Sequence, residues 1–91
     1  MSVRVQMPPI LRPIAGGERW MDAEGATIAA VLADLAKKHP ALGLHLLDEH
    51  GAVRRNIVCL HDGQAVRSKE AATRAVRSGD DIVLTNALAG G

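Results

Sequence analysis

Phenylalanine and tyrosine are absent, and Trp20 is the single aromatic residue among 91. A base-stacking surface is thereby excluded, because single-stranded nucleic acid is held on aromatic platforms. A net charge of +1 leaves no basic footprint for a phosphate backbone either. The lone cysteine, Cys59, rules out an internal disulfide, which fits a reducing compartment. No basic-then-apolar leader and no apolar run of about 18 residues occur, so neither secretion nor membrane insertion is expected and the protein reads as cytoplasmic. A G-x-x-x-x-G-K-[ST] phosphate loop is missing, which leaves Gly16, Gly17 and Gly25 as turn glycines. His39, His45, His50 and His61 match no familiar ligand spacing and have no second cysteine to help them. They are expected to be solvated or capping histidines, with no metal site.

What is present suits one small soluble domain: 47% hydrophobic residues against 23% charged ones. With so few aromatics, the core must be built from Val, Leu, Ile, Ala and Met. Val3, Val5 and Met7 alternate with Arg4 and Gln6, predicting a half-buried strand over residues 2–7. Pro8-Pro9 ends it, residues 10–14 read as an extended connection, and Ala15-Gly16-Gly17 as a turn. Residues 18–23 then return as a second strand, with Trp20 as a half-covered packing residue. Thr27 is positioned to cap a helix in which Ile28, Val31, Leu32, Leu35 and Ala36 form one apolar stripe. Lys37, Lys38 and His39 suit its C-terminal dipole, and Pro40 stops it. Residues 41–47 read as an irregular or short helical turn, and residues 48–51 as a surface loop. Residues 56–61 form a third strand, Asp62-Gly63 a tight hairpin turn, and residues 64–67 a short fourth strand. Residues 68–77 fit a helical turn, and Ser78-Gly79-Asp80 turns into a last strand over residues 81–85. One amphipathic helix must cover one face of one sheet. The expected architecture is an α+β roll, with the first and last strands paired in the middle.

Beyond the last strand stand Ala87, Leu88, Ala89, Gly90 and Gly91. A diglycine tail has no bulky end group and tolerates φ of either sign, so it can thread a channel too narrow for a Cβ. Termini of this kind are usually the least ordered part of a domain. The expected division is therefore a folded body over residues 1–86 and a flexible tail over residues 87–91. Neither glycine carries a hydroxyl, thiol or base.

Three stretches together resemble the β-grasp sulfur-carrier family of ThiS and MoaD type. They are Gly79-Asp80-Asp81-Ile82-Val83-Leu84 leading to Ala89-Gly90-Gly91, His61-Asp62-Gly63-Gln64, and Met7-Pro8-Pro9-Ile10-Leu11-Arg12-Pro13 with Gly16-Gly17. The third is closest to the actinobacterial branch that serves cysteine biosynthesis. Two positions depart from the family pattern: Asn86 stands where proline is usual, and His61 where a strand residue is usually apolar. The resemblance implies a ubiquitin-like β-grasp fold. It also implies a non-enzymatic carrier whose Gly91 carboxylate is adenylated by an E1-like enzyme using ATP. A sulfur donor then converts Gly91 to a thiocarboxylate, which passes sulfur to an acceptor synthase, a cysteine synthase-like enzyme in this branch. Thiamin, molybdopterin or a specialised metabolite are other acceptors the family allows. A ubiquitin-like protein modifier joined through Gly91 is the competing reading, and a plain interaction module the third.

Strand phase extends the site. If Ile82 and Leu84 face the helix, Val83 faces away. If Ile57 and Cys59 face in, Val58 and Leu60 face out. The family's strand order sets the third and last strands side by side, so Val58, Leu60 and Val83 form one apolar patch near the tail. This is the expected partner-docking surface, with Arg54 and Arg55 beside it. Arg54, Arg55, Arg67, Lys69, Arg74 and Arg77 outnumber Asp62 and Glu70 over residues 54–77. That excess reads either as a solvated face or as an electrostatic handle for an acidic partner. Cys59, in an apolar strand, reads as a small buried hydrophobe rather than a persulfide carrier.

Overall fold

Alternating valines commit the N-terminal segment to a strand with one buried face. In the computed structural model, which describes residues 2–86, β1 (Ser2–Gln6) buries Val3 and Val5 and leaves Arg4 exposed. It pairs antiparallel with β2 (Trp20–Glu24), Val5 opposite Met21 and Gln6 opposite Trp20. The connection between them is not extended. Pro9–Leu11 forms a 3₁₀ turn, and backbone bonds from Ile14 and Ala15 back to Leu11 continue the coiling. Proline opens such a turn without loss, because the first N–H of a helical segment is unpaired anyway. Burial of Leu11 holds the loop against the body. Trp20 is half-buried, with the Arg4 guanidinium 4.4 Å above its ring.

Thr27 caps α1 (Ile28–Lys38), its Oγ1 accepting from the Ala30 N–H at 3.2 Å. Ile28, Val31, Leu32 and Leu35 are fully buried on one stripe. Gly25 lies against the first turn so closely that a Cβ would sit 2.6 Å from the Val31 nitrogen, so only glycine fits there. Pro40 ends α1 and also begins a second helix, α2 (Pro40–Leu46), the helical of the two alternatives read for residues 41–47. Leu42 and Leu46, one turn apart, face the core, while Leu44 is exposed.

Asn56 precedes β3 (Ile57–His61), which returns as β4 (Gln64–Val66) through Asp62 and Gly63. Both turn residues have positive φ, 53° and 75°, as a two-residue hairpin with the sheet's own twist demands. A four-residue helix, α3 (Ser68–Ala71), follows, and then an irregular stretch. That stretch seals the start of α1: the Ile28 N–H donates to the Arg74 carbonyl at 3.0 Å, and Val76 to Ala26 at 3.0 Å. β5 (Asp81–Asn86) closes the sheet. The strand order is β2-β1-β5-β3-β4, with β5 parallel to β1 and antiparallel to β3. The α+β β-grasp roll expected from the sequence is thus the fold. Val3, Val5, Leu32, Leu35, Ile82 and Leu84 share one aliphatic core. Among the described residues, no helix is long and apolar enough to cross a membrane.

Candidate functional site

β5 is an inner strand held by ladders on both sides, so the position where it ends is set by the whole sheet. Ile82 and Leu84 are buried toward the helices, and Val83 and Thr85 alternate onto the open face. Asn86, the last described residue, stands opposite Ile57 at the start of β3. The expected tail residues Leu88, Ala89, Gly90 and Gly91 lie outside the described residues.

The ladder brings the expected patch together. Val58 is opposite Thr85 and Leu60 opposite Val83. Across the sheet the same row runs through Gln6 to Trp20 on one side and to Ala65 on the other. Val58, Leu60 and Val83 are half-buried rather than fully exposed, because neighbours in this row cover part of each. The surface is a shallow apolar band ending beside Asn86. One edge is fixed by a bidentate pair, Arg4 Nε and Nη2 to the two Asp81 carboxylate oxygens at 3.0 Å each. This exposed pair holds the Asp81–Arg4 register more than it stabilises the fold.

Arg54 is tied to α2 rather than presented beside this band. The Arg54 guanidinium Nε donates to the Leu44 carbonyl at 2.8 Å, and its backbone N–H to Leu46 at 3.0 Å. Arg54 therefore belongs to the α2 side of the molecule. Arg55 is exposed and lines a recess with Asp48, Val53, Arg54 and Asn56. The Asp48 carboxylate accepts from the Ala52 and His50 N–H groups, which hold its pKa below the usual carboxylate range.

One cluster escaped the reading of the sequence. His61 is not a solvated histidine; it is 4% exposed and faces the core side of β3. Arg74 Nε donates to its Nδ1 at 2.8 Å, and its Nε2 lies 2.9 Å from an Asp80 carboxylate oxygen. An arginine N–H can only donate, so Nδ1 is the acceptor and Nε2 carries the proton given to Asp80. The His61 hydrogen bond, followed by the Arg77 backbone N–H at 2.8 Å, holds the Asp80 pKa below its ordinary value. Arg74 also reaches the Gln64 side chain at 3.2 Å and the His61 carbonyl at 3.3 Å. Arg74 is thus spent inside the fold and is neither a solvated charge nor a handle for a partner. His61, Asp62 and Asp80 place possible ligand atoms within 4.8 Å of one another. Both His61 ring nitrogens are nevertheless engaged, one by a guanidinium, and no lone pair is left for a cation. The cluster clamps the β3–β4 turn to the turn before β5, at the end of the sheet away from Asn86. Its sequence signal was the phase Ile57, Cys59, His61, which puts His61 inside.

Cys59 is 2% exposed, and burial pushes its thiol up to about 11. A thiol held protonated in an apolar strand is inert as a nucleophile.

The ThiS family model matches residues 5–91. The sulfur carrier protein CysO of Mycobacterium tuberculosis is 32% identical over 93 aligned residues that cover both chains in full. The chain also superposes on a chain of the Amycolatopsis orientalis BexX/CysO complex with a TM-score of 0.83 at 31% identity, covering 98% of this chain and 99% of that one. Small archaeal modifier protein 1 of Methanosarcina acetivorans gives a TM-score of 0.80 at 26% identity, over 99% of this chain and 96% of that one.

Proposed function

The chain belongs to the ThiS family, and from that premise we propose that it is a sulfur carrier whose Gly91 carboxylate is activated and thiolated by partner enzymes. The observation that carries this reading is the placement of β5. Locked between β1 and β3, it brings the chain to Asn86 at a fixed point of the sheet, beside an apolar band. Ala87, Leu88, Ala89, Gly90 and Gly91 follow directly in the sequence. Five residues span at most about 17 Å when extended, enough to carry a carboxylate from the body into an enclosed site.

A carboxylate is a poor electrophile because it is ionised and lacks a leaving group. Attack of its oxygen on the α-phosphorus of ATP expels pyrophosphate and gives an acyl-adenylate. A sulfur nucleophile then attacks the carbonyl carbon and expels AMP, leaving a thiocarboxylate on Gly91. Gly90 and Gly91 have no side-chain acid, base or nucleophile, so an E1-like enzyme supplies catalysis and the chain acts as co-substrate rather than enzyme. The similarity to CysO over its full length favours cysteine biosynthesis as the destination, with a cysteine synthase-like acceptor. Similarity to a small archaeal modifier protein supports a second reading, in which Gly91 is joined to lysines of other proteins. Intact-mass analysis after incubation with ATP, the E1-like enzyme and a sulfur donor separates the two. One oxygen-for-sulfur exchange at Gly91 supports the carrier. Isopeptides to lysine without that exchange support the modifier.

A further inference from the structure

The root at Asn86 has a second flank. Asn86 and Ile57 share the helix-side phase of their strands, opposite to Val58 and Val83, and together they line a groove of about 450 Å³. Its other wall is the 3₁₀ loop, which contributes Ile10 and Ile14. These side chains are 68% and 37% exposed, although both are large and apolar. Single exposed isoleucines are ordinary, but two on one groove form a surface that water disfavours. Asn56 joins this groove to the recess that holds Arg55. Arg55 makes no hydrogen bond or ion pair among the described residues, whereas Arg54 and Asp48 beside it are both engaged. The combination is a slot lined by aliphatic side chains with His45, Asn56 and Asn86 among them, and a cation without a partner among the described residues at its margin.

What covers it follows from the work proposed for Gly91, and the inference rests on that sulfur-carrier reading. A channel selective for residues without Cβ encloses the backbone, so its walls stand on every side of the threaded chain. With at most about 17 Å between Asn86 and the reacting carbon, the channel mouth meets the body of this protein on both flanks of Asn86. We propose that the groove of Ile10, Ile14, Ile57 and Asn86 receives an aliphatic or aromatic side chain from the rim of the adenylating enzyme's channel, and that Arg55 pairs with a carboxylate next to it. The partner thus clamps the root from both sides, the apolar sheet band forming one jaw contact and this groove the other.

The test is ATP–pyrophosphate exchange by the purified E1-like enzyme, followed against the concentration of the full-length chain. The variants are Ile10→Asp, Ile14→Asp and Arg55→Glu, with Ile10→Ser and Ile14→Ser beside them in case a charge perturbs the loop. Thermal melts and gel filtration accompany each. The half-saturating concentration should rise about tenfold or more for the isoleucine variants, the range of an interface anchor. The rate at saturation should stay unchanged, because Gly91 is untouched. The Arg55→Glu effect should shrink at high salt. Unchanged half-saturation in folded isoleucine variants overturns the inference and leaves the carrier reading intact. A lowered value overturns it in favour of residues 87–91 of the same chain as occupant. A native dimer that the isoleucine variants split overturns it in favour of a second copy. Absence of exchange with the native chain overturns the carrier reading itself, and the inference falls with it.

Discussion

Leu60 and Val83 stand directly opposite each other across the antiparallel β3–β5 ladder, both on the face turned away from the helices. Although distant in the sequence, they form with Val58 one apolar band that runs to the Asn86 root. Leu60→Asp puts a charge in that band without entering the core. The variant is expected to keep the native melting temperature to within a few degrees and to lose binding to the E1-like enzyme in a pull-down. Normal binding by the folded variant would place the docking surface elsewhere.

Removal of Gly91, or replacement of Gly90 by Ile, is expected to abolish ATP–pyrophosphate exchange while the thermal melt stays native. Neither glycine can contribute apolar area to the core, and a β-branched residue blocks a channel shaped for a bare backbone. Full exchange without Gly91 would sink the carrier reading.

Leu35 is fully buried at the centre of the α1 stripe. Leu35→Ala removes its packing and leaves a cavity, at an expected cost of about 2–5 kcal/mol. That is a large share of the roughly 5–15 kcal/mol that holds a small domain together. Urea titration of the variant measures it, and a change of a few tenths would contradict the burial of that face.

Asp80 accepts from His61 and from the Arg77 N–H, and its folded-state pKa lies below the ordinary 3.8. A depressed carboxylate contributes stability above its unfolded pKa and loses it as pH falls through the folded value. Asp80→Asn should therefore be less stable than the native chain by a constant margin above about pH 5. The margin should shrink on acidification below about pH 4, as the native carboxylate takes up its proton. Chemical denaturation at a series of pH values checks this; a margin that widens in acid would show that Asp80 does not carry the linkage.

Much of the fold was legible because it is written in short-range patterns. The α1 stripe, its Thr27 cap, the Asp62-Gly63 turn and the alternating valines of β1 each depend on residues within a few positions of one another. The phase of β3 and β5 was legible for the same reason, and it assigned Ile57, Cys59, Ile82 and Leu84 to the core. Pro9 misled: proline excludes a central strand, but it equally permits the first turn of a 3₁₀ helix, and burial of Leu11 chose between them. Pro40 left residues 41–47 open between an irregular and a short helical turn, and the residue that ends α1 also begins α2.

By itself the sequence determined which segments extend or coil, which faces are apolar, and that residues 87–91 follow a strand with no reactive side chain among the last two. Only the tertiary structure decided the fate of the polar groups. His61 and Asp80 are brought together by the pairing of β3 with β5, and Arg74 reaches His61 from the irregular stretch that seals α1. Arg54 turned from a partner-facing charge into a link to the α2 carbonyls, while Arg55 stayed open. The physical reason is that apolar periodicity is a local property of the chain, whereas a buried histidine or arginine is stable only if distant residues supply its hydrogen-bond partners. Those distances are set when the sheet closes, and no spacing along the chain records them.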